Sequence, residues 1–323
     1  LIDIFSFMPP NMYLGTAIQL TNCQNIFIEN CSIEHCPTGI DMTNCANISV
    51  SNTHCTDIME EFEFGVGIRF ENVDTLAIQD CSFQNMSLSG IWGITSANIT
   101  IHNNYFRGID YNPTAQIRIF LNSCNHTAIT QNEFSTDLYD QGSALDILRG
   151  QNHTVSNNFI EGFSVGLSLR EFNESLVEEN RIHHCSNLGM YLMNSHENLI
   201  VGNEFFNTTT LFQELEGSAG NTFTDNVDLS IPTTPLWITA DHTIYGLTTT
   251  LEWTQNPMIT SFDLIVNGSI VAEPITTPYN YTFTTYGYYN VSLVAKNASG
   301  MSPESNLLWI HVLENDHPIF VNS

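Results

Sequence analysis

A short strand that ends in asparagine returns at a near-constant interval through most of the chain. Asn25-Ile-Phe-Ile-Glu-Asn30 reappears as Asn47-Ile-Ser-Val-Ser-Asn52, and the anchoring position recurs at Asp80, Asn103, Asn132, Asn157, Asn180 and Asn203, in steps of 22 to 29 residues. Two residues before the anchors lie Ile28, Val50, Ile78, Ile101, Thr130, Val155, Glu178 and Val201, which is largely the period-2 pattern of a strand with one buried face. A second strand opens each step, often after glycine: "GTAIQLTN", "GIDMTN", "GVGIRFEN", "VGLSLREF". Its aliphatics alternate in the same way, as in Ile18 and Leu20, Ile40 and Met42, or Ile68 and Phe70. Two or three short strands per coil of roughly 23 residues predict a solenoid whose coils stack and bury one continuous core.

On these residues, from position 12 to about 226, the chain resembles the right-handed parallel β-helix family of pectate-lyase-like proteins. The resemblance implies stacked asparagines that satisfy the backbone at the bends. Asparagine suits that task, because it tolerates a left-handed backbone and its amide reaches both the local chain and its counterpart one strand spacing away. Aligned on the repeat, Cys23 and Cys45 fall in one file on adjacent coils and are expected to form a disulfide, with Cys36 and Cys55 the next pair. Cys31 and Cys81 lie two coils apart and are too distant to bond. A zinc site from these cysteines with His35 and His54 is the weaker reading, since no tight C-x-x-C pair exists. Phe106, Phe134, Phe159, Phe205 and Phe206 follow the anchors and are expected to stack in the core, leaving Trp92, Tyr105 and Tyr191 as outward aromatics.

Aspartate and glutamate number 34 against 7 lysines and arginines. A net charge of −27 repels nucleic acid and other polyanions, so neither is expected as a partner. The 8 cysteines and the N-x-S/T sequons at Asn30, Asn47, Asn85, Asn98, Asn125, Asn152, Asn173, Asn207, Asn267, Asn280, Asn290 and Asn297 predict an oxidising, extracellular or cell-surface setting, with about half of the sequons carrying sugar. No signal peptide or membrane span is expected in this chain, and the abrupt start at "LIDIFSF" suggests a processed form or a piece of a longer protein.

Prolines in "DLSIPTTP" break the repeat, so the β-helix is assigned to residues 1–228 and a second domain to 229–323. The second segment carries Trp253, the hairpin signal "FDLIVNG", and the alternating run Tyr289, Val291, Leu293, Ala295, Asn297 ahead of Gly300. On those residues, over about 233 to 314, it resembles a fibronectin type III or related immunoglobulin-like β-sandwich without a cysteine pair, which implies a spacer or adhesion module. The fold class expected for the whole is all-β, a parallel β-helix followed by a β-sandwich.

Chemistry is harder to find. Arg69 is expected to pair with Asp41, Arg118 with Asp146 and Arg149 with Glu171, as rung-to-rung ion pairs worth about 0–1 kcal/mol where exposed. Arg107, Arg170 and Arg181 form no evident cluster, and the polygalacturonase and pectate-lyase signatures are absent, so no catalytic residue is assigned. Acidic residues gather where coils lengthen, at Glu60, Glu61 and Glu63, at Asp110, and at Asp137 with Asp140. The last two are the candidate ligands for Ca²⁺, the one cofactor the chain could take, although none is required. His183-His184-Cys185 reads as a turn in preference to a copper site. The expected function is that of a glycosylated, non-catalytic surface protein that associates with copies of itself in a filament or with other surface proteins. The alternative is a carbohydrate-active enzyme or glycan-binding protein acting on a neutral polysaccharide, with glycans as partners.

Overall fold

Strands that alternate aliphatic and polar residues, cut every few positions by an asparagine, fold into coils of three strands each. The computed structural model describes residues 15–58, 65–108, 117–136, 142–230, 232, 234–254, 259–297 and 300–314. The chain divides into two compact units, Leu1–Asp228 and Leu229–Ser323.

In the first unit three parallel sheets, here A, B and C, each contain 9 strands, one per coil. Sheet A runs from Thr16–Thr21 to Thr210–Glu214, sheet B from Gln24–Glu29 to Thr222–Thr224, and sheet C from Ser32–Glu34 to Val227–Asp228. Pairing is in register from coil to coil, with Ile18 on Ile40 in sheet A and Ile28 on Val50 in sheet B. Like residues therefore form files along the axis, and eight spacings of about 4.8 Å give a rod of about 38 Å. The fold is the parallel β-helix followed by a smaller β-sandwich.

The bend between sheets B and C turns on left-handed residues at Asn30, Asn52, Asp80, Asn103, Gln131, Asn157 and Glu179. One position further on, Asn104, Asn132, Asn158, Asn180 and Asn203 are buried. The repeat anchors named above thus mix two neighbouring files: Asn132, Asn180 and Asn203 belong to the inner one, because a residue with another side chain occupies the left-handed position before them. In the inner file the Asn104 backbone N–H and side-chain amide both donate to Asn132 Oδ1, at 2.9 and 3.0 Å, and Asn132 repeats the pattern on Asn158. The Asn132 amide also donates to the Ile101 carbonyl at 2.9 Å, so a bend that would bury open backbone groups is closed by side chains.

The same one-residue shift corrects the phenylalanines. Phe83, Phe106 and Phe134 stack in the core with centroids 4.8 and 4.7 Å apart, and Phe205 is buried further along. Phe159 and Phe206 point to the other face of sheet C and pack edge-on against His183. Each inward ring lies three residues after a left-handed residue, whereas Phe159 lies two after Asn157 and Phe206 four after Gly202. Glycines of sheet A leave room for the stack: a Cβ on Gly90 would come within 2.7 Å of the Phe106 ring.

All 8 cysteines are free thiols. The expected Cys23–Cys45 and Cys36–Cys55 bridges are absent, so the sequons and not the cysteines are what remains in favour of an extracellular setting. Cys45 Sγ accepts the Cys23 backbone N–H at 3.4 Å, and the two thiols turn back to the Thr21 and Thr43 carbonyls at 3.4 and 3.3 Å. In parallel register their Cβ bonds point the same way, so each sulfur caps its own bend instead of meeting the other. Cys36 similarly donates to the Thr38 carbonyl at 3.4 Å.

The second unit has a larger sheet ordered His242–Tyr245, Leu308–Leu313, Gly287–Asn297, Ser261–Val266, Ser269–Ile275, and a smaller sheet of Thr248–Leu251 with Tyr279–Thr282. Its core holds Trp253, Phe262, Val291, Leu293 and Ala295. Trp253 meets Trp237 and Phe262 edge-on at 5.9 and 5.2 Å. The pairing of His242–Tyr245 with Leu308–Leu313 is parallel, a departure from an all-antiparallel sandwich. No helix of the described residues is long and apolar enough to cross a membrane.

Candidate functional site

In-register stacking turns the middle residue of each sheet A strand into one outward file. From coil to coil it reads Asp41, Arg69, Trp92, Phe120, Asp146, Ser168, Tyr191. Trp92 and Phe120 form an aromatic pair with centroids 4.3 Å apart and planes inclined at 40°. Both are half-buried, so one face of the pair meets solvent.

Beside the aromatic pair the file becomes polar. Arg170, two positions along its strand from Ser168, reaches back to Asp146 with Nη2 at 2.7 Å from Oδ2 and 2.9 Å from Oδ1. Ser168 Oγ lies 2.9 Å from Asp146 Oδ1 and 2.7 Å from the Tyr191 hydroxyl. Serine has one proton and the carboxylate is the stronger acceptor, so Ser168 donates to Asp146 and Tyr191 donates to Ser168. Burial opposes the Arg170 charge, but the Asp146 carboxylate overrides it and raises the guanidinium pKa. The result is a closed polar network beside an aromatic surface, with Asp146 and Ser168 buried and Arg170 and Tyr191 half-exposed; from Trp92 to Tyr191 it covers four rungs, about 19 Å.

Two expected ion pairs are present, Arg69 with Asp41 at 3.4 Å and Arg149 with Glu171 at 3.2 Å. The third is corrected. Arg118 belongs to the file of Gly67 and Gly90, is 2% exposed, and faces inward against the Phe163 ring at 5.6 Å; Asp146 is taken by Arg170. Sequence spacing placed Arg118 and Asp146 on neighbouring coils correctly but missed that Arg118 lies one file away from the outward column.

Arg181 pairs with Glu204 at 3.2 Å in an open groove of about 620 Å³ at the bend between sheets B and C. That groove is lined largely by bend residues, including Gln131 and Glu179, and lacks the buried polar array of sheet A, which is the stronger candidate. At His183-His184-Cys185 the His184 backbone is left-handed and its Nδ1 lies 3.2 Å from Glu161, while Cys185 points into the core, where burial pushes its thiol up to about 12. His183 closes strand Arg181–His183 and the bend begins at His184. Among the described residues there is no group of three or more His, Cys, Asp or Glu that could hold a metal ion. Asp137 and Asp140, like Glu60, Glu61, Glu63 and Asp110, lie outside the described residues. Of the sequon asparagines, Asn30, Asn47, Asn98, Asn152, Asn207, Asn267 and Asn280 are exposed, and Asn85, Asn125, Asn173, Asn290 and Asn297 are half-buried.

With the fold and this face in view, the chain belongs to the right-handed β-helix family: the family model described as "Right handed beta helix region" matches residues 10–117 and 109–246. No curated protein matches it in sequence. Among solved structures it is similar to a polygalacturonase from Erwinia carotovora ssp. carotovora, at 10% identity and TM-score 0.49, over 62% of this chain and 65% of that one. It is also similar to DFA-IIIase from Arthrobacter chlorophenolicus A6 in complex with GF2, at 17% identity and TM-score 0.45, over 66% and 51%. A tailspike protein mutant of E. coli bacteriophage HK620 in complex with a pentasaccharide gives 10% identity and TM-score 0.42, over 64% and 48%. The chain thus spans between about half and two thirds of these proteins, and likeness at this level speaks to the fold alone.

Proposed function

We propose that the chain is an extracellular glycan-binding protein whose outer sheet A face takes a neutral saccharide chain, with the second unit acting as a fibronectin- or immunoglobulin-like spacer. The observation that carries this reading is the Trp92–Phe120 pair set beside the Asp146, Ser168, Tyr191 and Arg170 array. An aromatic face packs against the C–H face of a sugar ring, and the half-exposed Arg170 and Tyr191 beside it, held in place by buried Asp146 and Ser168, are positioned to meet hydroxyl groups. The net charge of −27 favours a neutral ligand over a uronate.

Binding is favoured over hydrolysis by the carboxylates. Glycoside cleavage uses two, about 5–10 Å apart. On the described sheet A face Asp41 and Glu71 both pair with Arg69, at 3.4 and 3.3 Å, and Asp146 pairs with Arg170, so each of these carboxylates is engaged by a guanidinium instead of standing open to a substrate. Assembly into a filament has no observation here that favours it over glycan binding.

A panel of neutral and acidic oligosaccharides, with and without calcium, tests the proposal. A neutral oligosaccharide should be retained, and Trp92→Ala should weaken it at least about tenfold, or about 1.4 kcal/mol. Retention of no neutral glycan, or a Trp92→Ala variant that binds unchanged, ends the reading. New reducing ends in the same incubation would replace binding by hydrolysis.

A further inference from the structure

The larger sheet of the second unit leaves an aromatic patch in solvent. Tyr288 is 74% and Trp309 52% exposed, and Tyr288 stacks on His311 with centroids 3.9 Å apart and planes at 9°. Strands Gly287–Asn297 and Leu308–Leu313 run antiparallel with Tyr288 opposite His311 and Asn290 opposite Trp309. Tyr289, Val291, Leu308 and Ile310 fill the core, so Tyr288, Asn290, Trp309 and His311 share the outer face. Directly opposed residues of such a pair have Cβ atoms about 5 Å apart, and diagonal neighbours such as Tyr288 and Trp309 stay within side-chain reach.

The residue enclosed by this patch is a sequon asparagine, Asn290-Val291-Ser292. The backbone around Asn290 is held by Asn267: the Asn290 N–H donates to Asn267 Oδ1 at 3.1 Å, and the Asn267 N–H to the Asn290 carbonyl at 2.9 Å. The Asn290 side-chain amide itself makes no hydrogen bond among the described residues. We infer that Asn290 carries an N-linked glycan whose first sugar lies over Trp309 and Tyr288, so that the chain's own saccharide covers this aromatic patch.

The physical case has three parts. Exposed aromatics of this size are a liability to solubility unless something covers them. A sugar anchored at Asn290 begins within one side-chain length of both rings, so stacking needs no further ordering of the protein. Its C–H face matches the rings while its hydroxyls stay in water. Ser292 is only 1% exposed and is hydrogen-bonded to Glu304, so the sugar must be attached before this strand docks. The inference rests on the extracellular reading and extends it to the second unit.

The test uses the full chain secreted from an N-glycosylating eukaryotic cell. Glycopeptide mapping reports occupancy at each sequon, and hydroxyl-radical footprinting compares Trp309 and Tyr288 before and after enzymatic removal of N-glycans, with Asn290→Gln as a second comparison. The expected result is an occupied Asn290, with oxidation of Trp309 and Tyr288 rising severalfold on deglycosylation while Trp92 is unchanged. Asn290 bare while Asn47, Asn98 or Asn152 is occupied overturns this inference and leaves the extracellular reading standing; no sequon occupied overturns both. An occupied Asn290 with equal oxidation in both states shows that the sugar points away, and protection that depends on concentration in the deglycosylated chain assigns the patch to a second copy.

Discussion

The first five coils and the last four solve the same bends with different chemistry. In sheet B the early strands have 6 residues each, from Gln24–Glu29 to Asn125–Thr130, and the later ones 3, from Thr154–Ser156 to Thr222–Thr224. The file that enters this sheet is Ile26, Ile48, Leu76, Ile99 and Thr127 in the early coils, then His153, Ser175, Asn198 and Asn221. Where the side chain is aliphatic the backbone bonds along the strand. Where it is serine or asparagine it takes over that bond, as when the Ser175 N–H donates to Asn198 Oδ1 at 3.0 Å, and the strand shortens; the Thr127 and His153 side chains make no such bond among the described residues. The inner file at the next bend behaves likewise, with Cys31, Thr53 and Cys81 at one end and asparagines from Asn104 onward. One architecture can thus be closed by apolar packing or by amide ladders, and the choice is made coil by coil.

The largest expected effect comes from cutting the amide ladder. Asn132→Ala removes the acceptor for the Asn104 N–H and amide and the donor to the Ile101 carbonyl, all buried. Stranding these groups should cost about 3–5 kcal/mol in chemical denaturation. A loss under about 1 kcal/mol would mean that the ladder is ornament, since a single satisfied hydrogen bond is worth that much.

His153 sits at the junction of the two regimes, 2% exposed, stacked on Phe172 at 5.2 Å, with neither ring nitrogen hydrogen-bonded among the described residues. Burial, reinforced by His126, pushes its imidazole from 6.5 down to about 4. Between those values the unfolded chain binds a proton that the folded chain refuses. This contribution is therefore complete above pH 6.5 and lost as pH falls towards 4, by about 3 kcal/mol. His153→Leu should flatten that limb of a stability–pH curve, and an unchanged limb would place the acid sensitivity elsewhere.

Coils with the shortened sheet B strands also carry the longest sheet A strands, Ser143–Gln151 and Val165–Asn173, which bear Asp146, Ser168 and Arg170. Asp146→Asn should cost about 1–2 kcal/mol, discounted because the Arg170 head group retains some water, and should weaken saccharide retention. Stability lost with retention intact would make the array a strut and not a site. Smallest of all, Cys81→Ala in the thiol end of the inner file should cost about 1 kcal/mol, the loss of one small apolar group. Equality with Asn132→Ala would erase the contrast between the two ends.

Much of this was legible in the residues. The interval between Asn30 and Asn52, the alternation of Ile18 and Leu20, and the prolines after Asp228 were enough for the solenoid, its in-register stacking and a second domain. The site was only half legible. Trp92 and Tyr191 were recognisable as outward aromatics and Arg69 as the partner of Asp41. The Asp146–Arg170 pair was not, because it is diagonal, crossing one coil and two residues, and no column alignment brings the two together. The assignments of Phe159, Phe206, Asn132 and Arg118 failed by one position each, which is the distance between facing inward and outward.

Local chemistry settled the period and the existence of files: asparagine accepts a left-handed backbone at low cost, and alternating aliphatics demand a buried face, whatever lies above or below. Tertiary structure decided which of two adjacent residues turns inward at each bend, that thiols cap carbonyls instead of bonding to each other, and that Asp146 meets Arg170. Those outcomes depend on what the neighbouring coil places within about 5 Å, and a residue's own sequence neighbourhood does not contain that information.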